Sequence, residues 1–166
     1  MATTDLSAYN KDSIPNAKEF RFGIVVSEWN SDITNNLKQG AFDTLIAHGA
    51  IAKNITVLSV PGSFELIFGC KQLIKSTKLD AVIAIGNVIQ GETKHFDFVC
   101  EAVSQGIKDI NFHLNVPTIF CVLTDNNKQQ SLDRSGGKHG NKGIESAIAA
   151  IKMAELRSNT KSFFEK

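Results

Sequence analysis

The sequence predicts an α/β sandwich in three layers (α/β/α), with helices on both sides of a central parallel sheet. Three observations carry that prediction. Short apolar runs alternate with longer segments of helical periodicity, and the two kinds are separated by Gly, Pro, Asn and Ser. One of the runs, Ala81 to Ile85, is apolar at every position, as a strand covered on both faces has to be. The runs are spaced by helix-length segments rather than by tight turns, which is the rhythm of βαβ units and of right-handed crossovers.

Taken in order, Phe20 to Ser27 is a β-rich apolar run that leaves through the polar turn Glu28-Trp29-Asn30-Ser31-Asp32. From Ile33, apolar residues recur at Leu37, Ala41 and Leu45, with Phe42 and Ile46 widening the stripe, and Gly49 is a natural stop. Ile55 to Val60 is the second strand. Pro61-Gly62 breaks it, and Ser63 is positioned to cap a helix carrying Phe64, Leu66, Ile67, Cys70, Leu73 and Ile74. The third strand, Ala81 to Ile85, runs into a glycine-bounded turn, Gly86 to Gly91, which delivers His95 onto the start of a helix covering 96–112. Pro117 to Thr124 is the fourth strand, and Asn126 is a candidate cap for a short helix ending at Arg134. Ser135 to Gly140 reads as a glycine-rich loop. A last helix, Lys142 to Leu156, buries Ile144, Ala147, Ile148, Ile151 and Met153 before a polar tail containing Phe163 and Phe164.

With 166 residues, 42% of them hydrophobic and 21% charged, the chain can build one domain with a full core. The expected division is a flexible segment over 1–18, one folded domain over 19–157 and a polar tail over 158–166. Eighteen Lys and Arg stand against seventeen Asp and Glu, which leaves no basic surplus to hold nucleic acid. The first eighteen residues lack the apolar stretch of a signal peptide or a membrane span, so a cytoplasmic address and no membrane association are expected. Cys70, Cys100 and Cys121 lie far apart in apolar segments, a pattern of reduced thiols rather than of disulfides or a metal cluster.

In a parallel sheet of this kind ligands sit outside the carboxyl ends of the strands. Trp29, Ser63-Phe64-Glu65, Asn87 to His95 and Thr124-Asp125 should therefore gather along one edge. Trp29, the only tryptophan, is by residue type a core aromatic and by placement a ring stacker. His95 is either a satisfied structural histidine beside Phe96 and Phe98 or a proton carrier. His48, His113 and His139 read as helix-end or loop residues. Arg134 and the cationic glycine-rich stretch behind it form either a solvated loop or an anion clamp. The stretch follows a helix and not a strand, so it is neither a dinucleotide fingerprint nor a P-loop.

Three motifs in register, Val60-Pro61-Gly62-Ser63-Phe64-Glu65, Gly86 through Asp97 (Gly-Asn-Val-Ile-Gln-Gly-Glu-Thr-Lys-His-Phe-Asp) and Arg134 with Gly140-Asn141-Lys142-Gly143, resemble lumazine synthase, over about residue 20 to residue 157. The resemblance implies a flavodoxin-like fold and the penultimate reaction of riboflavin biosynthesis. In that reaction 5-amino-6-(D-ribitylamino)uracil condenses with 3,4-dihydroxy-2-butanone 4-phosphate to give 6,7-dimethyl-8-ribityllumazine, phosphate and water, with no cofactor and no metal. By position it implies that Trp29 stacks on the pyrimidine with Asn30 beside it. Ser63, Phe64 and Glu65 would bind the ribityl chain, and the Asn87-Val88-Ile89 backbone would read the uracil edge. Glu92 and Thr93 would contact the phosphorylated substrate, and His95 would move protons. Phe120 and Arg134 would come from an adjacent subunit, with Lys142 a neighbouring cation. Gln90 stands where a basic residue is frequent in the family and Glu92 where a small one is frequent, so the turn is expected to hold phosphate through its backbone. The implied partners are further copies of the chain, a pentamer that either stands alone, pairs into a decamer or assembles into a sixty-subunit shell, to which the unbroken 135–141 loop leans, and riboflavin synthase. Two other readings compete with the enzyme: a cage-forming or lumazine-binding relative with reduced turnover, and a flavodoxin-like electron carrier. The second is disfavoured because Ser27-Glu28-Trp29-Asn30 lacks the hydroxyl run that would wrap a flavin phosphate.

Overall fold

The structure, a computed structural model, describes residue 5 and residues 7–164, with side chains as far as residue 160. Among the described residues a four-stranded sheet forms from β1 (Phe22–Ser27), β2 (Ile55–Val60), β3 (Ala81–Ile89) and β4 (Thr118–Asp125). Every pairing is parallel, and the spatial order is β2-β1-β3-β4. The chain steps outward from β1 to β2 and then crosses to the other side of β1 for β3. The reversal between β1 and β3 is where a crevice opens at the carboxyl ends of the strands.

Alternation along the strands divides the core in two. Phe22, Ile24 and Val26 of β1 and Ala81, Ile83 and Ile85 of β3 face α1 (Ser31–Ala47) and α5 (Lys142–Phe164), packing on Ile33, Leu37, Ala41, Leu45, Ala147, Ala150 and Ile151. Val25, Val82, Ala84 and Val122 face α2 (Leu66–Ser76) and α3 (His95–His113), against Leu66, Cys70, Leu73, Val103, Ile107 and Ile110. This is the flavodoxin-like three-layer sandwich with a central parallel sheet. Each fully buried Leu, Ile or Val contributes about 1.5–3 kcal/mol relative to exposure, so the two faces together dominate the stability. Cys70 and Cys121 lie inside these cores, and burial pushes their thiols up to about 12 and about 11. No helix among the described residues is long and apolar enough to cross a membrane.

Several boundaries differ from the sequence reading. β3 does not stop at Ile85 but continues to Ile89, because β4 pairs with it as far as Ile89 opposite Asp125; Gly86 to Ile89 are strand rather than turn. Ser63 does not cap α2: Glu65 stands at the cap position, and Ser63 Oγ donates instead to the Asn87 carbonyl at 3.3 Å. The cap of α4 (Lys128–Arg134) is Asn127, whose Oδ1 accepts from Gln130 N–H at 3.0 Å, whereas Asn126 N–H donates to the Gln130 side chain. The stretch after Arg134 is not an open loop but a small antiparallel ribbon, β5 (Ser135–Gly137) and β6 (Gly140–Asn141). α5 runs past Leu156 to Phe164: no Gly or Pro follows Leu156 to stop it, and Thr160 Oγ1 returns to the Leu156 and Arg157 carbonyls. Residues 1–4 and 6 of the expected flexible segment, residues 165–166 of the expected tail and the side chains of Phe163 and Phe164 lie outside the described residues.

Candidate active site

A cleft of about 670 Å³ opens at the carboxyl edge of the sheet, lined by Trp29, Asn30, Gly62, Ser63, Phe64, Glu65, Asn87, Val88, Ile89, His95, Phe98 and Val99. It lies at the switch point between β1 and β3, with one wall from each post-strand segment. Backbone bonds set the first wall: Glu28 N–H donates to the Val60 carbonyl at 2.9 Å and Trp29 N–H to the Pro61 carbonyl at 3.2 Å. The turn after β1 is thereby tied to the turn after β2, and Trp29 stands 72% exposed over the opening. Gly86 lets the second wall approach the floor. A Cβ there would lie 2.6 Å from Ser63 Oγ and 2.9 Å from a Leu66 methyl, closer than packed atoms tolerate.

The end of β3 supplies the reading edge. β1 pairs with β3 only as far as Val26 opposite Ile85, whereas β4 continues to Ile89. Residues 86–89 therefore project beyond β1 and turn one backbone edge toward the cleft. The Asn87 carbonyl is engaged by Ser63 and the Val88 N–H and carbonyl face β4 in the parallel ladder, which leaves the Ile89 backbone to meet a planar ligand. His95, exposed at the first position of α3, faces this edge, and Thr93 Oγ1 accepts its backbone N–H at 3.4 Å.

Beneath the cleft runs a row of polar side chains. Asn30 Nδ2 donates to Asn87 Oδ1 at 2.9 Å, Asn87 Nδ2 donates to Ser131 Oγ at 2.9 Å, and Ser131 Oγ donates to Asp125 Oδ2 at 2.7 Å. Asn87, Ser131 and Asp125 are buried. Arg134 ends the row: a guanidinium nitrogen lies 3.7 Å from Asp125 Oδ1 and donates to the Gln130 carbonyl at 3.0 Å. At the outer rim, a hydrogen bond from Lys128 holds the Asp32 carboxyl below its ordinary range. That exposed pair contributes little to stability, but it links the starts of α1 and α4.

The structure brings together nine residues singled out from the sequence: Trp29, Asn30, Ser63, Phe64, Glu65, Asn87, Val88, Ile89 and His95. It does not place Glu92, Thr93, Phe120, Arg134 or Lys142 on the cleft lining of the same chain. Glu92 and Thr93 lie on the exposed turn before α3, Phe120 is partly exposed on the edge strand β4, and Lys142 opens α5 paired with Glu145. Sequence reasoning missed Phe98 and Val99 as lining residues. Their spacing of three and four from His95 was the available signal, since such residues share a helix face. It also missed Ser131.

The 6,7-dimethyl-8-ribityllumazine synthase family model matches residues 19–158. The chain is 64% identical to the 6,7-dimethyl-8-ribityllumazine synthase of Christiangramia forsetii, covering 98% of this chain and 99% of that one. It is 65% identical to that of Flavobacterium johnsoniae (95% of this chain, 84% of the relative) and 55% identical to that of Phocaeicola vulgatus (95% of both). Matches of this extent, across the segments that build the cleft, leave one assignment: the chain belongs to the 6,7-dimethyl-8-ribityllumazine synthase family.

Proposed function

We propose that the cleft binds the ribitylated pyrimidine between Trp29 and the open β3 edge, and that His95 moves the protons of its condensation. Family membership makes the chain an enzyme of riboflavin biosynthesis, which condenses 5-amino-6-(D-ribitylamino)uracil with 3,4-dihydroxy-2-butanone 4-phosphate to 6,7-dimethyl-8-ribityllumazine. The observation that carries the residue roles is that Trp29, His95 and the end of β3 that extends beyond β1 line one cleft.

Each step of the reaction finds a suitable group. A flat ring stacks on an exposed indole, the Ile89 backbone beside Val88 offers a donor and an acceptor to its edge, and Ser63, Phe64 and Glu65 border the space for a polyhydroxyl chain. Imine formation, phosphate loss, ring closure and dehydration all shuttle protons near neutral pH, where an imidazole serves as both acid and base, a contribution of about 10²–10⁴ in rate. Holding two substrates in one cleft adds an orientation effect that can exceed this. The phosphorylated substrate is assigned to the turn at Glu92 and Thr93 through its backbone.

The same reading makes the site shared between subunits. Arg134, Phe120 and Lys142 do not line their own chain's cleft, and a guanidinium is the group suited to balance the charge of a departing phosphate. Both edge strands carry uncovered apolar side chains, Val57 and Leu58 on β2 and Phe120 on β4, which supports a homo-oligomer that covers them. A pentamer, built into a sixty-subunit shell and working with riboflavin synthase in the cytoplasm, is the assembly this reading adopts. Mixing the two substrates with the protein and following lumazine fluorescence tests the activity. No fluorescence above the uncatalysed rate defeats the enzyme reading, and a monomer in light scattering that remains active defeats the shared site.

A further inference from the structure

The row Asn30–Asn87–Ser131–Asp125 has a direction, and only one assignment of its protons satisfies every distance. A carboxylate accepts and cannot donate, so across the 2.7 Å gap the proton belongs to Ser131. The Ser131 hydroxyl has a single hydrogen, committed to Asp125, so at 2.9 Å from Asn87 it accepts, and the Asn87 NH2 points at it. Asn87 therefore presents its carbonyl oxygen to Asn30, and Asn30 answers with its NH2 at 2.9 Å. The one acceptor left at the top of the row is Asn30 Oδ1, to which no group donates among the described residues. Asn30 lines the cleft, and its backbone is held at φ 56°, in the left-handed region where Asn is among the few side chains tolerated.

We propose that Asp125 and Ser131 are positioning residues that set the sense of the Asn87 and Asn30 amides, so that the cleft meets its pyrimidine substrate at this point with an acceptor and selects a substrate N–H or O–H. The proposal rests on reading the cleft as the pyrimidine site. Neither Asp125 nor Ser131 lines the cleft; each acts through the amide above it. Without the Ser131 hydroxyl the Asn87 amide gains nothing from one orientation over the other, and the Asn30 amide is free to follow it. A donor then faces the substrate's donor in part of the population.

The test is steady-state kinetics with each substrate varied in turn, together with thermal melting. Ser131→Ala raises KM for the pyrimidine about tenfold, the fold-change of one buried hydrogen bond, while kcat and KM for the phosphorylated substrate stay within about twofold. Ser131→Thr, which keeps the hydroxyl, restores the pyrimidine KM. Ser131→Cys, a poor donor of similar volume, shows the same loss if Ser131→Ala does not fold. A second measurement reads the polarity itself. Asn30→Asp sets a carboxylate against the Asn87 carbonyl and lowers the melting temperature; in the Ser131→Ala background Asn87 can turn over and donate, so the drop shrinks. Repeating the binding titration with a lumazine lacking the ribityl chain distinguishes a ring N–H from a ribityl hydroxyl as the donor, by whether the Ser131 effect persists. Unchanged KM in Ser131→Ala beside a raised KM in Asn30→Ala overturns the proposal, as do additive melting shifts. No effect of Asn30→Ala on KM overturns the pyrimidine reading of the cleft instead.

Discussion

The floor of the cleft and its mouth are built on opposite principles. On the floor, Asn87, Ser131 and Asp125 are buried and mutually hydrogen-bonded, Gly86 is packed against Ser63 and Leu66, and the strand ends are held in register by β4. At the mouth, Trp29 is 72%, Phe98 67% and Phe64 54% exposed, and His95, Glu92 and Thr93 are exposed as well. One chain completes the part that orients a ligand and leaves open the part that encloses it. Large aromatic side chains gathered around an opening are costly to leave in water. The difference teaches that substitutions at the mouth should change turnover with little effect on folding, whereas those on the floor should change folding first.

The largest effect belongs to the mouth. His95→Ala is expected to lower kcat by about 10²–10⁴ while leaving the melting temperature within a degree or two, because the side chain is exposed and carries no packing. Lumazine fluorescence and a thermal scan read the two quantities, and a loss of stability that matches the loss of rate would erase the contrast between the regions. Next comes Arg134→Ala, expected to raise KM for the phosphorylated substrate about 10- to 100-fold, in keeping with about 1.5–3 kcal/mol for a charge-assisted hydrogen bond, and to leave the pyrimidine KM alone. Co-refolding His95→Ala with Arg134→Ala subunits sharpens this further. If neighbours share a site, some pairs regain an intact His95 and an intact Arg134, and activity reappears; a mixture as inactive as its components places both groups in one chain's site.

The sequence made the mouth more legible than the floor. Apolar strands and the βαβ rhythm were enough to bring Trp29, the 63–65 segment, 87–89 and His95 to one edge, because topology alone gathers the carboxyl ends of parallel strands. Pattern could not show that β3 outruns β1: Gly86-Asn87 looks like a turn unless the partner strand is known, and the partner lies more than thirty positions on, with Val122 opposite Gly86. Ser131 was invisible for the same reason. A serine in a short polar helix is ordinarily solvated, and only the fold reveals that it bonds Asn87, 44 positions away. Asn126 reads as a cap because local spacing cannot tell which of two adjacent polar residues reaches the helix end, and Ser63 because spacing does not show that its hydroxyl turns to the Asn87 carbonyl.

On the floor the expected effects are on stability. Gly86→Ala drives a methyl into Ser63 Oγ and the Leu66 side chain, and should cost about 1–3 kcal/mol in denaturant unfolding, since overpacking forces neighbours from their rotamers. A cost under half of that would mean that α2 is free to slide outward, and that the floor is less rigid than its hydrogen bonds imply.

The smallest effect tests whether the floor is dry. Ser27 closes β1 at 1% exposure, and its Oγ is the single buried side-chain oxygen without a hydrogen-bond partner among the described residues. Strand alternation puts it on the side of Val25, under the cleft, while its carbonyl is held by Thr34 Oγ1 at 2.8 Å. A buried hydroxyl with no partner contributes nothing and forfeits its hydration, so replacing it with a methyl-sized group should leave stability unchanged or raise it by up to about 1 kcal/mol. Ser27→Ala in a urea titration reads this directly. If the variant instead loses 1 kcal/mol or more, the hydroxyl is bonded to water that reaches it through the cleft. The polar row from Asn30 to Asp125 would then lie beside solvent, and its amides would lose the isolation that keeps them pointing one way.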